Sequence, residues 1–362
     1  MRRSVLLLGA LALVGIMLAA GASGSAGSVQ VAAVRGVLVV EASRRVTILS
    51  LAGKRLPVPA RVRESPVGLS PDTRLVAGNS DDSVLMGVSG GSMTAVLRGN
   101  SASPPCPFGA DPSYAWSPDS QQLAAAANTP HGPTMLKFFN RGGQVVRSFT
   151  LPNGNPEQGA RVYHSLIAWS PDGSRLLLLQ SNDYGPTAAV VLDIKTGRLR
   201  TLAPLHFCSD PSLAWSPDGR LLALTEQRAC QDGPTTFSVI DAASAKPIVQ
   251  CSEDPTGCNG GTAWTPGGTV WAQDSRSVFG TVVSKGASRI DRFYLTGRRT
   301  NVIKSSAGSP TPHVAFVNGL VYQAKPTHGR AVLYLHHFPT GHHDTLISSP
   351  STMTVLPLSH IP

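Results

Sequence analysis

The sequence predicts an all-β chain assembled by repeating one four-stranded antiparallel unit. Three observations carry this. The phrase Ala-Trp-Ser-Pro-Asp-Gly stands at 168–173 and again at 214–219. Variants occupy 115–120 (Ala-Trp-Ser-Pro-Asp-Ser) and 263–268 (Ala-Trp-Thr-Pro-Gly-Gly), and a remnant, Ser70-Pro71-Asp72, lies earlier. Proline presets φ for the second turn position, aspartate bonds its own backbone and glycine accepts positive φ, so the phrase reads as a tight turn between two strands. Apolar runs follow it at 123–127, 176–179 and 221–224, as expected of a strand buried on both faces. A second, outer turn then falls between alternating runs. It is seen at Ala52-Gly53, Gly90-Gly91, Gly142-Gly143, Thr196-Gly197, Thr296-Gly297 and Thr340-Gly341, with Ala243-Ser244-Ala245 as a glycine-free seventh.

Two such turns per unit make four strands. With the repeated Trp as index, the units are marked by Leu69, Trp116, Trp169, Trp215, Trp264 and Phe316, at intervals of 47, 53, 46, 49 and 52 residues. Four strands at that period are the sequence signature of a propeller blade. An earlier copy at 32–38 matches the short-turn form at 315–321 and brings the count to seven. Six is the alternative, if the first segment only completes the last unit. The tail 353–358 has the character of a strand for the first or the last unit.

Taken in order, Arg2-Arg3, the apolar run 5–20 and the small-x-small site Ala20-Gly21-Ala22 read as a secretory signal peptide over 1–22. The other reading is an uncleaved membrane anchor, for which the run is short of the roughly 20 apolar residues a spanning helix needs. A short linker, 23–28, leads into the repeats, which fill 29–362. With 36 glycines, 29 prolines and only 14% charged residues, this region suits many short strands joined by tight turns. Its size exceeds a usual single core, a limit that repeats escape by adding units. The net charge of +10 becomes +8 without Arg2 and Arg3, and the first unit is the most basic, with Arg35, Arg44, Arg45, Lys54, Arg55, Arg61 and Arg63 against Glu41 and Glu64. Attraction to an anionic surface such as cell-wall polymer follows if these residues share a face; otherwise they form a solvated surface. Nucleic acid is excluded as a partner, since no basic-aromatic motif is present and export removes the chain from it.

The Trp-Ser-Pro-Asp-Gly turn, followed by an apolar strand and an outer hairpin, resembles the WD-like propeller repeats of TolB-type proteins. The resemblance covers about 29–362 and implies a propeller that serves as a binding platform, as an enzyme's accessory domain or, occasionally, as an enzyme. The first and last units lack Pro-Asp-Gly, and no companion domain of the TolB kind is visible.

A repeat that begins on its innermost strand puts both sets of turns on one rim. The other rim then receives the long Pro- and Gly-rich connections at 99–112, 128–133, 152–159, 181–186, 227–234 and 252–261, where binding is expected. Five residues before each index position stand Glu64, Asp111, His164, Asp210, Asn259 and Thr311, all polar. Stacked around an axis they would ring the mouth of a central channel and bind a cation, a sugar or a basic peptide group. The competing reading is local turn chemistry, with the aspartates of Asp111-Pro112-Ser113 and Asp210-Pro211-Ser212 bonding nearby amides. His131, His206, His313 and His328 map to the same rim as solvated or metal-ligating side chains. All five cysteines fall in or beside these loops. Cys208 with Cys230 and Cys251 with Cys258 are the favoured disulfides, leaving Cys106 unpaired, although spacing alone does not fix connectivity.

Catalytic patterns are weak. Gly87-Val88-Ser89-Gly90-Gly91 matches Gly-x-Ser-x-Gly but sits at an outer hairpin, not at a strand-to-helix elbow. His336, His337, His342, His343 and Asp344 flank another hairpin; adjacent strand residues point to opposite faces, so two or three at most converge. The sequence therefore predicts an exported, non-enzymatic propeller acting as a protein- or ligand-binding scaffold, with no required cofactor. The alternatives are a lactonase- or lyase-type enzyme with a divalent cation in the channel, and a structural envelope component on anionic wall polymer.

Overall fold

A computed structural model describes residues 36–41, 46–50, 54–56, 68–72, 74–80, 83–88, 93–98, 113–128, 133–152, 162–182, 184–206, 211–227, 235–251, 263–264, 269–284, 287–304, 310–324, 330–350 and 353–358. Their strands form seven antiparallel sheets. Sheet I contains β1 (Gly36–Glu41), β2 (Val46–Ser50) and β3 (Arg55–Leu56). Sheet II contains β4 (Gly68–Leu69), β5 (Leu75–Ser80), β6 (Ser83–Val88) and β7 (Met93–Arg98). Sheet III contains β8 (Ser113–Trp116), β9 (Gln122–Ala127), β10 (Thr134–Asn140) and β11 (Val145–Leu151). Sheet IV contains β12 (Tyr163–Trp169), β13 (Arg175–Asn182), β14 (Gly185–Asp193) and β15 (Leu199–Pro204). Sheet V contains β16 (Ser212–Trp215), β17 (Leu221–Gln227), β18 (Thr235–Asp241) and β19 (Pro247–Cys251). Sheet VI contains β20 (Ala263–Trp264), β21 (Val270–Trp271), β22 (Ser277–Ser284), β23 (Ala287–Tyr294) and β24 (Arg299–Ile303). Sheet VII contains β25 (Thr311–Phe316), β26 (Gly319–Ala324), β27 (Ala331–His337) and β28 (His343–Ser349).

The tail strand β29 (Met353–Leu358) joins the first sheet, not the last. It lies against β1 in the antiparallel register Gly36↔Leu358 to Glu41↔Met353, so the first sheet is built from both ends of the repeat region.

Each second strand is apolar at successive positions because its two faces go to different cores. Leu176 and Leu178 face sheet III, in a cluster with Leu136 and Phe138, whereas Leu177 faces sheet V beside Leu222 and Leu224. The same division places Ala124 and Ala126 against sheet IV, and Leu123 and Ala125 against sheet II. Buried clusters join II to III, III to IV, IV to V, V to VI, VI to VII, and VII back to I through Leu49, Met353 and Val355. Sheets III to VII are thus each packed on both faces, and the apolar runs read from the sequence follow from that geometry.

The repeated tryptophans are part of this scaffold. Trp169 is 4% exposed, and its Nε1–H donates to the Ala115 carbonyl of the preceding sheet at 2.9 Å. In sheet VI the equivalent residue is Trp271, not Trp264: Trp271 is fully buried and donates to the Ala214 carbonyl of sheet V at 3.0 Å. The turn after it is Ala272-Gln273-Asp274-Ser275, closed by Ala272 N–H to the Ser277 carbonyl at 2.9 Å, as Ser216 N–H bonds the Leu221 carbonyl at 2.8 Å in sheet V. Trp264 ends β20, and β20 and β21 lie along the same edge of β22. β20 pairs with Val282 and Val283, and β21 pairs further along with Val278 and Phe279. The index for this unit therefore moves seven residues toward the C-terminus.

Candidate functional site

One rim carries both sets of turns, as direct links between them show. Ile194 N–H bonds the Ser174 carbonyl at 3.0 Å, and Ala242, Leu295 and Phe338 repeat that bond to Arg220, Arg276 and Asn318 at 2.9 Å each. Within a turn, the serine before proline donates to the aspartate: Ser117 to Asp119 and Ser216 to Asp218, both at 2.6 Å. Burial pushes the Asp172 carboxyl up, but bonds from Ser170 and Ser174 outweigh it and hold the pKa below the usual carboxylate range.

Neighbouring turns also grip one another. Where a unit has glycine at the positive-φ position, the proline of the preceding turn packs against it: an added Cβ at Gly219 would stand 3.4 Å from Pro171 Cδ. Where the residue is serine, at Ser120 (φ 61°) and Ser275 (φ 55°), its hydroxyl accepts from the backbone N–H of Asp72 at 2.9 Å and of Asp218 at 3.1 Å. Arg141 adds an ion pair to Asp72 at 2.6 Å, and Arg175 reaches the Gly219 carbonyl at 2.8 Å. The polar groups of this rim are largely spent on holding it together.

Of the ring predicted at the opposite mouth, His164 and Thr311 are among the described residues; Glu64, Asp111, Asp210 and Asn259 lie outside them. Asn259 also loses the argument that selected it, since the index of its unit is Trp271. His164, 2% exposed on β12, is held by the neighbouring sheet: its N–H points to Thr134 Oγ1 at 3.2 Å and Asn128 Oδ1 at 3.3 Å, and its Nδ1 stands 3.5 Å from Thr134 Oγ1. Burial pushes its pKa down to about 4, so the ring is neutral at pH 7. Its role in the described structure is to satisfy polar groups between sheets III and IV. Thr311 lies on sheet VII, opposite Gln323 in register.

No protein-family model matches the chain, and no curated protein is similar to it in sequence. Solved structures are similar in shape. The β-propeller domain of the trilobed protease from Pyrococcus furiosus superposes with a TM-score of 0.50 at 12% identity, over 83% of this chain and 89% of that one. The chain is a β-propeller. The tricorn protease matches this propeller with a TM-score of 0.56 at 11% identity over 87% of this chain, which spans 36% of the protease. TolB from Acinetobacter baumannii is also a structural neighbour, with a TM-score of 0.40 at 17% identity, over 87% of this chain and 76% of that one.

The propeller's remaining candidates divide clearly. Cys251 is fully buried at the end of β19 and disulfide-bonded to a cysteine outside the described residues. Cys106, Cys208, Cys230 and Cys258 lie outside the described residues, as do His131, His328 and most of the long-loop rim. His206 Nδ1 faces the buried Glu226 carboxylate at 3.5 Å. His313 occupies the bulge in β25, with its Nε2 buried and unbonded and its pKa pushed down to about 4 by burial. The most buried carboxylate among the described residues, Asp291 (1% exposed), is paired inside sheet VI with Arg289 at 3.1 Å and with Arg299, and accepts a hydrogen bond from the Asn301 amide at 2.9 Å. Ser89 lies outside the described residues, between β6 and β7.

The histidine hairpin splits by face as strand geometry requires. His337 Nε2 and His342 Nε2 share the Asp344 carboxylate at 2.8 and 3.0 Å on the exposed side. His336 and His343 are register partners on the other side, with ring centroids 4.6 Å apart.

Proposed function

We propose that this propeller is an exported, non-enzymatic scaffold that binds a protein or ligand through its long-loop rim, with each of the seven sheets forming one blade. The observation that carries the reading is the series of contacts between successive turns from sheet II to sheet VI. Serines, aspartates and arginines there bond to the next turn, so binding is left to the opposite connections, which are long and vary from unit to unit. Export rests on the apolar segment 5–20 after Arg2-Arg3, and it permits the pairings Cys251–Cys258 and Cys208–Cys230. The partner is a component of the extracytoplasmic space.

The test is capture from an envelope extract by immobilised protein. Replacing 228–234 and, separately, 99–110 with Gly-Ser segments of equal length is expected to abolish capture of at least one partner, whereas Arg141→Ala on the turn rim leaves it intact. Equal capture by all variants would move binding off this rim.

The protease matches favour a second reading, a propeller that accompanies a hydrolase. Copurification with a peptidase would support it. A divalent cation that copurifies and is lost in Asp111→Ala or Asp210→Ala would instead support a channel enzyme.

A further inference from the structure

A cleft of about 510 Å³ opens between sheets VI and VII. One wall is the edge strand β24 with Asn301, Val302, Ile303 and Lys304; the other is the inner face of sheet VII, with Tyr322, Tyr334, His336 and His343. The two tyrosines are register partners on β26 and β27, and their rings stack with centroids 5.2 Å apart, forming an aromatic wall. Tyr322 Oη and His343 Nδ1 are hydrogen-bonded at 3.0 Å, which fixes that imidazole.

The polar side of the cleft is one-signed. Lys304 is exposed at its lip, and no aspartate or glutamate is among the described residues that line it. The Asn301 amide is already committed to Asp291 at 2.9 Å. His336 is 6% exposed, yet its Nδ1 is buried without a hydrogen-bond partner, which costs folding free energy unless something arrives to bond it. A hydrophobic residue would fill that position without such a cost.

We infer that this cleft binds a small carboxylate carried on a six-membered ring. Lys304 and the orphaned His336 take the carboxylate, and the Tyr322–Tyr334 wall packs on the ring body. An ammonium ligand finds no counter-charge among the described lining residues, and an uncharged ring forgoes the attraction of Lys304. The volume lies within the usual range for small-ligand sites, roughly 300–1,000 Å³. The inference stands apart from the long-loop reading, because no residue is shared.

Isothermal titration of the full chain with D-glucuronate, D-glucose, benzoate, benzyl alcohol and acetate tests it. At least one ring acid is expected to bind roughly tenfold or more tighter than both its neutral counterpart and acetate. Glucuronate ahead of benzoate would mark a sugar acid, and the reverse an aromatic one. Lys304→Met is expected to weaken the preferred acid about tenfold, since that side chain is exposed and its loss leaves the fold intact. His342→Ala, on the opposite face of the hairpin, is expected to leave it unchanged.

Binding should also tighten from about pH 7.5 to about pH 5.5. Burial and the neighbouring His343 and His337 hold the His336 pKa down to about 4, so binding of an anion that favours imidazolium is accompanied by proton uptake at His336. The groups facing His336 are Lys304, His343, Tyr322 and Tyr334, with His337 and Asp344 across the strand. No preference for either acid over its neutral partner, an unaltered affinity in Lys304→Met, or equal loss in His342→Ala would each overturn the assignment.

Discussion

At the scale of single residues, the tryptophans separate packing from hydrogen bonding. Trp271 and Trp215 are both buried, at 0% and 2% exposure, and each faces the preceding sheet. Trp271 Nε1–H reaches a carbonyl, whereas Trp215 Nε1–H has no partner and the Arg175 guanidinium lies over its ring, 5.0 Å from the centroid. Phenylalanine at either position loses similar volume, but Trp271→Phe breaks a hydrogen bond whereas Trp215→Phe removes a buried N–H that has none. Urea denaturation is expected to show Trp271→Phe less stable than Trp215→Phe by about 1–3 kcal/mol. Equal losses would mean that burial alone sets the energetics. The misplaced index teaches the same lesson. Trp264-Thr265-Pro266-Gly267-Gly268 carries the loud turn residues, yet Trp271-Ala272-Gln273-Asp274-Ser275 forms the turn. The signal was present in Asp274-Ser275, which copies Asp119-Ser120, followed by the apolar strand β22. A proline and two glycines fit a strand interruption as well as a hairpin, so turn chemistry alone could not rank the two.

At the scale of elements, the strands and their two-sided burial were legible because each apolar run has a core on either side. What the ring positions do was not legible. Spacing points to His164 as a channel residue, yet its contacts are set by Asn128 and Thr134 of the preceding sheet, and no count along β12 reveals what that sheet presents. Asn128 and Thr134 together make a polar slot that fits a neutral imidazole. Because burial depresses the folded pKa of His164 from 6.5 to about 4, the unfolded chain binds more protons between those values. The stability that the neutral ring provides is complete above about pH 6.5 and is lost as pH falls through about 4. His164→Gln is therefore expected to flatten the fall in urea midpoint between about pH 7 and pH 4.5. Some slope remains, since His313 and His336 are depressed in the same direction. A slope identical to that of the wild type would show that His164 is already protonated in the native state.

For the whole molecule, the repeat count gave the sheets, but closure was open until the tail was placed. β29 is the inner strand of sheet I, and its Met353 and Val355 lie in the core shared with sheet VII. Truncation after Ser349 is expected to uncover β1 along its whole length and to lower the thermal midpoint well beyond the loss from any single core substitution. Restoration by an added peptide spanning 350–362 would show that the strand acts by docking; an unchanged midpoint would mean that β29 is dispensable. The partner in sheet I also sets a timescale. β1 pairs on one side with β2, a few residues away, and on the other with a strand roughly three hundred residues downstream. Closing a loop of that length is slow compared with forming the local hairpins of the other sheets. Folding of this chain therefore ends, rather than begins, at its first sheet. Leu358 lies opposite Gly36, so a chain whose two ends were joined by a short link, and cut elsewhere, would turn its slowest contact into one of its fastest.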